Sequence, residues 1–335
     1  MEHLSILICP ACGAGLEASD GHLKCSSHHE FSFDSRIPLL FWPNNWAQSG
    51  DESTETVKAF YEANPFPNYD AFDSPASLGD KAREGVFAQA LDDEIPVDAR
   101  ILEVGCGTGQ LSNFLGLVSR RAVFAADICL NSLRLGEAFR ARWRLANVTF
   151  LQMNLFRPVF KPFSFDLVIC NGVLHHTSDP GEGFQSIARL VRPGGYILVG
   201  LYNKYGRLYL DLRRLVFGLS GGRFRWLDPR LRNTSLSELR KQTWYLDQYQ
   251  HPLESSHTIG EVLSWFKRAG FAYVNGIPRS TPTATALSEG DRLFQRNPEG
   301  TAFDHFIVQL KMALRSDKEG GFFIMLGRKQ ASVVR

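Results

Sequence analysis

Three groups of residues in this chain have types and spacings that can do chemistry. The first is Glu103-Val104-Gly105-Cys106-Gly107-Thr108-Gly109-Gln110, in which three glycines at alternate positions follow an apolar run. Glycines placed this way let the backbone turn sharply and come close to a ligand, as nucleotide-type binding turns do. Asp127 ends the next apolar run, at about the distance where a carboxylate accepts hydrogen bonds from both hydroxyls of a ribose. The second group is Cys9, Cys12 and Cys25 with His28 and His29. A CxxC knuckle followed by Gly13 points two thiolates at one metal and Cys25 supplies a third, so a tetrahedral zinc takes its fourth ligand from His28 or His29. The third group is the pair His175-His176, with His251 and His257 as secondary candidates. Imidazole exchanges protons near neutral pH, which suits a base or a group that orients an acceptor.

These residues need elements to position them. The apolar segments 101–104, 122–127, 148–153, 165–170 and 196–200 read as buried strands. Leu111, Phe114, Leu115 and Val118 recur at helical spacing between the first two strands, and Leu130, Leu133 and Leu135 lie on a helix after Asp127. Alternating strands and helices specify a parallel α/β sheet covered on both faces. Ligands of such sheets sit beyond the carboxyl ends of the strands, which gathers Gly105, Asp127, Asn154 and Asn171 around one crevice. Each also has a structural reading: Asp127 as a helix cap, Asn154 as a turn residue, Asn171 as a loop amide. Further on, 260–269 reads as a helix capped by Gly270, and 271–274 and 322–326 as the last two strands.

The GxGxG spacing, with Glu103 two residues ahead of it, resembles the first motif of class I S-adenosylmethionine-dependent methyltransferases. A nicotinamide fingerprint would place its third glycine where Gln110 stands, so an oxidoreductase is disfavoured. The loop 171–180 after the fourth strand and the Arg192-Pro193-Gly194-Gly195 turn before the fifth are also similar to that family. The resemblance covers 98–330 and implies a seven-stranded Rossmann-like sheet closed by an antiparallel strand. It implies a cofactor site of Glu103, Gly105, Cys106, Gly107, Gly109, Asp127, Ile128, Asn154, Leu155 and Asn171. In this family the positions of Asn154 and Leu155 pack against adenine. The core resembles the ubiquinone-type methyltransferases, which implies transfer of a methyl group to a small or lipid-like acceptor. From their place at the mouth of the crevice, His176 or His175 is the candidate catalytic histidine, with a structural loop role as the other reading.

Residues 1–43 form a separate unit. Its segment 25–40 resembles the amino-terminal zinc module of ribosomal RNA guanine methyltransferases and the small zinc ribbons that activate methyltransferases. In the former the last ligand lies four positions after the third cysteine, which makes the implied set Cys9, Cys12, Cys25 and His29. Residues 51–97 read as a linker and aromatic lid: a short helix, then an extended stretch enforced by Pro65 and Pro67, with Tyr61 and Tyr69 as the residues to test. Asn64-Pro65-Phe66 is superficially like the NPPY signature of amino methyltransferases, but that signature follows strand four, and 165–170 already supplies that strand.

An insertion at 203–256 follows the fifth strand. From Lys204 to Lys241 there are ten basic and three acidic residues, a net of +7 in a chain whose total is +2, interleaved with Tyr205, Tyr209, Phe217, Phe224 and Trp226. That pattern suits a substrate lid, a nucleic acid, or an anionic lipid surface reached peripherally through 204–241. The readings beside a small-molecule enzyme are an RNA base methyltransferase and a catalytically silent cofactor-binding regulator. At 335 residues and 44% apolar composition the chain can hold one α/β domain with extensions. With no apolar run of about 18 residues and no leader-like start, the expected location is cytoplasmic. Cys106, Cys129 and Cys170 fall at strand ends and do not read as disulfide partners.

Overall fold

A computed structural model describes residues 4–44, 53–63, 65, 73–85, 87–221, 223–233, 238–249, 252–282, 292–315 and 321–331. Tyr69, Asn64 and His251 lie outside the described residues. The chain begins with a three-stranded antiparallel ribbon, β1 (Leu16–Ser19), β2 (His22–Cys25) and β3 (Glu30–Phe31), followed by the hairpin of β4 (Phe33–Asp34) and β5 (Ile37–Pro38). Helices α1 (Ser53–Ala63), α2 (Pro75–Gly85) and α3 (Phe87–Glu94) lead into the sheet domain.

There β6 (Arg100–Val104), α4 (Gln110–Leu115), β7 (Ala122–Asp127), α5 (Leu130–Arg142) and β8 (Val148–Gln152) build one half. The other half is β9 (Phe165–Asn171), α6 (Pro180–Ala188) and β10 (Val191–Tyr202). The insertion contributes α7 (Leu208–Leu219), α8 (Pro229–Arg232) and α9 (Glu238–Tyr249), and the chain continues through α10 (Ile259–Arg268), β11 (Phe271–Ile277), α11 (Ala302–Arg315) and β12 (Phe322–Lys329). Strand order is β11-β12-β10-β9-β6-β7-β8. The strands are parallel except β12, which runs antiparallel to both β10 and β11.

Both faces of the sheet are buried, which is why its strands are apolar throughout rather than alternating. Leu102, Val104, Phe124, Leu151 and Val168 belong to one core, where α6 and α10 contribute Phe184, Val262 and Phe266. Ile101, Val123, Phe150, Leu167 and Ile169 belong to the other, with Leu91 of α3 and Leu115 of α4. β6 pairs with β7 on one side and β9 on the other, so the crossovers diverge at its carboxyl end and leave a crevice there.

The structure departs from the sequence reading in four places. The helix after the glycine turn stops at Leu115 with Gly116 as its cap, so Val118 lies beyond it. The Arg192-Pro193-Gly194-Gly195 segment falls inside β10 as an irregularity in its pairing with β9, because Val191 already pairs with Phe165. Helix α11 was not anticipated. The amino-terminal ribbon is not a detached module: Leu40 N donates to Gln152 O at 3.1 Å, Ile8 N to Val159 O at 2.8 Å and Lys161 N to Ile6 O at 2.9 Å. It covers the edge strand β8, which would otherwise present unpaired backbone groups.

Candidate functional site

The glycine turn is fixed by what stands around it. Gly105 has φ +69°, and a Cβ there would come within 2.2 Å of Val173, so this backbone passes directly under the loop after β9. Gly109, at φ +70°, is excluded from carrying a side chain for another reason: a Cβ would meet the Phe150 ring at 2.4 Å. Gly109 therefore faces the core and does not line the crevice, unlike the reading from sequence. The Gly107 N–H donates to Asp127 Oδ2 at 2.7 Å and the Cys129 N–H to Asp127 Oδ1 at 2.8 Å. Asp127 thus clasps the turn and opens α5, while one edge still faces the cavity.

The cavity has a volume of about 450 Å³, within the ordinary range for small-ligand sites. At its inner end lie Glu103, Gly105, Cys106, Gly107, Asp127 and Ile128. Burial raises the carboxyl of Glu103, which accepts the Ser112 hydroxyl, to a pKa of about 7. Burial likewise raises Asp127 to about 6, and it pushes the Cys106 thiol well up. Asn154 and Leu155 also line the cavity, but the Asn154 amide is already committed. Its Nδ2 donates to Trp42 O at 2.9 Å and Asn44 Oδ1 at 2.7 Å, and its Oδ1 accepts from Phe156 N at 3.1 Å. Asn154 pins the end of the ribbon segment to the crevice wall and holds Leu155 and Phe156 in the lining.

Asn171, the last residue of β9, lines the cavity with its Oδ1 buried and without a hydrogen-bond partner. Gly200 makes room for it, since a Cβ there would lie 1.9 Å from that oxygen. At the outer end stand Val173, His176, Tyr202 and Phe322. Tyr202 and Phe322 were not found from sequence, although Tyr202 ends β10 as Asn171 ends β9, a strand-end position that could have flagged it. Helix α1 lies over the cavity with Val57 and Tyr61. It is held there by Glu62, which accepts from the N–H groups of Leu130 at 2.7 Å and Asn131 at 3.0 Å.

The two histidines separate. His176 lines the cavity, and its Nδ1 lies 3.0 Å from Leu253 O. A carbonyl only accepts, so Nδ1 carries the hydrogen and Nε2 holds the lone pair. Burial lowers its pKa to about 4, so the ring is neutral at physiological pH. His175 is fully buried with its ring 4.0 Å from that of Tyr202, and it does not reach the cavity. Behind Tyr202, the Arg207 guanidinium sits 3.7 Å over the ring and pairs with Glu254, and Gln248 Nε2 donates to the Tyr202 hydroxyl at 2.8 Å. His257 bonds to Ser255 and Glu261, also away from the cavity.

In the ribbon, ligand atoms of Cys9, Cys12, Cys25 and His29 all lie within 4.8 Å of one another. The Cys12–Cys25 sulfur separation is 3.7 Å, and His29 Nδ1 lies 3.4 Å from Cys25 Sγ and 3.7 Å from Cys9 Sγ. With metal–sulfur bonds near 2.3 Å, a zinc tetrahedron has edges of roughly 3.5–3.8 Å, so the set fits. His28 stands apart at φ +61°, forming the turn that swings His29 inward.

Comparison with known proteins bears on the sheet domain. Residues 102–199 match the family described as "Methyltransferase domain". An uncharacterized protein of Synechococcus sp. is 26% identical over 255 residues, 68% of this chain and 61% of its own length. A ubiquinone biosynthesis O-methyltransferase of Neisseria meningitidis is 32% identical over 117 residues, 34% of this chain and 48% of the relative. The matches thus span about half to three-fifths of these relatives' lengths. Among solved structures, PKMT2 from Rickettsia typhi in complex with AdoHcy is similar in fold, with a TM-score of 0.51 at 15% identity, covering 70% of this chain and 49% of that one.

Proposed function

We propose that this chain, whose core is a class I S-adenosylmethionine-dependent methyltransferase domain, transfers a methyl group to a small, largely apolar acceptor. The observation that carries this reading is the cavity itself. Its inner end combines a glycine turn with two buried carboxylates, and its outer end is walled by Val173, Tyr202 and Phe322. When bound, S-adenosylmethionine supplies a methyl group on a positively charged sulfur. Asp127 has an edge toward the cavity for hydroxyl donors, Leu155 and Phe156 offer apolar surface for a base, and the orphaned oxygen of Asn171 is an acceptor within the lining.

Proximity does most of the work in such a transfer, and this chain provides it by enclosure. Helix α1 covers the crevice, while His176 lines it with Nδ1 hydrogen-bonded to Leu253 O. With a pKa near 4, His176 is a weak base, so its role is to accept a hydrogen bond from an acceptor O–H or N–H and aim the lone pair at the methyl group. A structural zinc on Cys9, Cys12, Cys25 and His29 belongs to the same reading, locking the ribbon on β8.

The test is to titrate the protein with S-adenosylmethionine by calorimetry, then incubate it with the methyl-labelled compound and a cell extract. Saturable one-site binding with label in the organic-soluble small-molecule fraction is expected. Absence of binding would overturn the methyltransferase reading, and label in RNA or protein would overturn the acceptor class.

A further inference from the structure

Two helices beside the outer end of the crevice turn large apolar side chains to solvent. On α7, Leu208, Leu212, Leu215 and Leu219 recur at i, i+4, i+7 and i+11, all exposed, Leu219 at 82%. On α11, Phe303, Phe306, Leu310 and Leu314 recur at i, i+3, i+7 and i+11, with Phe303 at 71% and Leu314 at 72%. The opposite faces of both helices are the ones used for packing, through Leu210 and Phe217 on α7 and Val308 on α11.

The two helices are tied together near one end. Asn203, five residues before α7, donates from Nδ2 to Gln309 Oε1 of α11 at 3.1 Å. At that junction the rings of Tyr205 and Phe306 touch, 6.4 Å between centroids. Beyond α7, Phe224 and Trp226 are exposed as well. Contiguous exposed apolar surface on this scale marks an interaction site.

Charge selects the occupant. Lys204, Arg223, Arg230 and Arg232 are exposed around α7 and α8, whereas Arg207 and Arg214 are consumed by Glu254, and Asp228 is buried as the cap of α8. Among the described residues the accessible charge of this face is therefore positive, with Asp211 the exposed acid on α7. Leucine stripes flanked by aromatic rings and cations are what an interfacial helix presents to a bilayer. RNA would use the cations and rings but leave eight aliphatic or phenyl side chains without a partner. A second copy of the chain would set like charges against each other across a two-fold axis.

We propose that α7 and α11 together form a docking surface for an anionic phospholipid bilayer. The surface begins beside Tyr202, six residues before Leu208, so a lipid-soluble molecule leaving the bilayer arrives at the outer end of the crevice. That delivery role rests on the methyltransferase reading; the membrane contact does not.

The experiment is sedimentation of the full chain with vesicles of equal parts phosphatidylcholine and phosphatidylglycerol, alongside vesicles of phosphatidylcholine alone. Binding to the anionic vesicles is expected. It should fall about tenfold in Leu215→Glu/Leu219→Glu and in Phe303→Ser/Leu314→Glu, and weaken in Lys204→Glu/Arg223→Glu. Circular dichroism and S-adenosylmethionine affinity report whether each variant folds, and the three variants act on different elements, so one misfolded protein leaves the others informative. Vesicle binding without cofactor binding keeps this proposal and removes the enzymatic one. Absent vesicle binding, binding insensitive to all folded variants, binding of RNA in place of vesicles, or a dimer that the α7 and α11 changes convert to monomer would each overturn it.

Discussion

Asp127 and Glu103 carry the clearest pH signature among the individual residues. Folding raises their carboxyls from ordinary values of 3.8 and 4.5 to about 6 and about 7, chiefly by burial. Between the unfolded and folded values the native state binds more protons than the unfolded chain, so these two groups make the empty protein less stable as pH rises through about 4 to 7. Ligand hydroxyl or ammonium donors favour the ionised forms, so cofactor affinity should strengthen over the same upper range. Calorimetric titrations with S-adenosylmethionine at pH 5.5, 6.5 and 7.5 should show this trend. Asp127→Asn/Glu103→Gln should flatten it; an equally steep profile in that variant would assign the pH dependence elsewhere. His176→Ala should lower turnover about tenfold or more while cofactor affinity stays within about twofold, whereas His175→Ala should chiefly lower the melting temperature. Gly105, Gly107, Asp127 and Asn171, picked out in the sequence by their places at strand ends, line one cavity in the structure. The further constraints on Gly109 and Asn154 come from Phe150 and from Trp42 and Asn44, partners that only folding brings near. The histidine pair could not be separated by sequence either, since adjacent residues on a short turn point to different sides of it.

Among the elements, α1 is tied to the start of α5 chiefly through one side chain, that of Glu62. Glu62 accepts both Leu130 and Asn131 N–H groups at the start of α5, a capping arrangement supplied from outside the helix it caps. Glu62→Ala should therefore cost about 1 kcal/mol in stability and also loosen the cover over the crevice. Stopped-flow displacement of bound S-adenosylmethionine should show faster release in that variant than in Glu55→Ala, where the changed residue lies about two turns earlier and pairs with Lys58 on the same helix. Equal release rates would mean that α1 does not gate the site. Strands and the helices facing them were legible because each has one apolar pattern of one period. Helix α11 was not, for an equally physical reason. Its apolar stripe of Phe303, Phe306, Leu310 and Leu314 faces outward, while its inward residues include the polar His305 and Gln309 beside Val308, so the apolar stripe is not the face that packs. The ribbon's fold was legible from Cys9, Cys12 and Cys25, but its docking was not, because backbone hydrogen bonds to an edge strand leave no signature in side-chain types.

The ribbon and the sheet share one core, and this decides how the whole molecule should unfold. Leu7, Leu23, Phe31 and Leu40 from the ribbon belong to the same buried cluster as Phe124, Leu151, Phe160 and Phe165 from the sheet side. Phe160 is the hinge of that contact: it is buried, its ring meets Phe124 at 5.5 Å and Phe165 at 4.9 Å, and its backbone bridges to Leu7. Two cooperative units would melt separately, but a core continuous across both should give one transition. Chelating the proposed zinc, or replacing Cys25 with Ser, removes the proposed four-ligand clamp and should lower that single transition as a whole instead of splitting off an early step. The same treatment should weaken S-adenosylmethionine binding, because Asn154, which shapes the crevice wall, is held by Trp42 and Asn44 at the ribbon's end. Phe160→Ala should cost roughly 3–5 kcal/mol and reproduce both effects with the metal still bound. Differential scanning calorimetry with and without chelator, paired with cofactor titration, checks the coupling. A low-temperature transition that appears on chelation while cofactor affinity holds would show that ribbon and sheet are independent, and that the zinc set serves some end other than bracing the crevice.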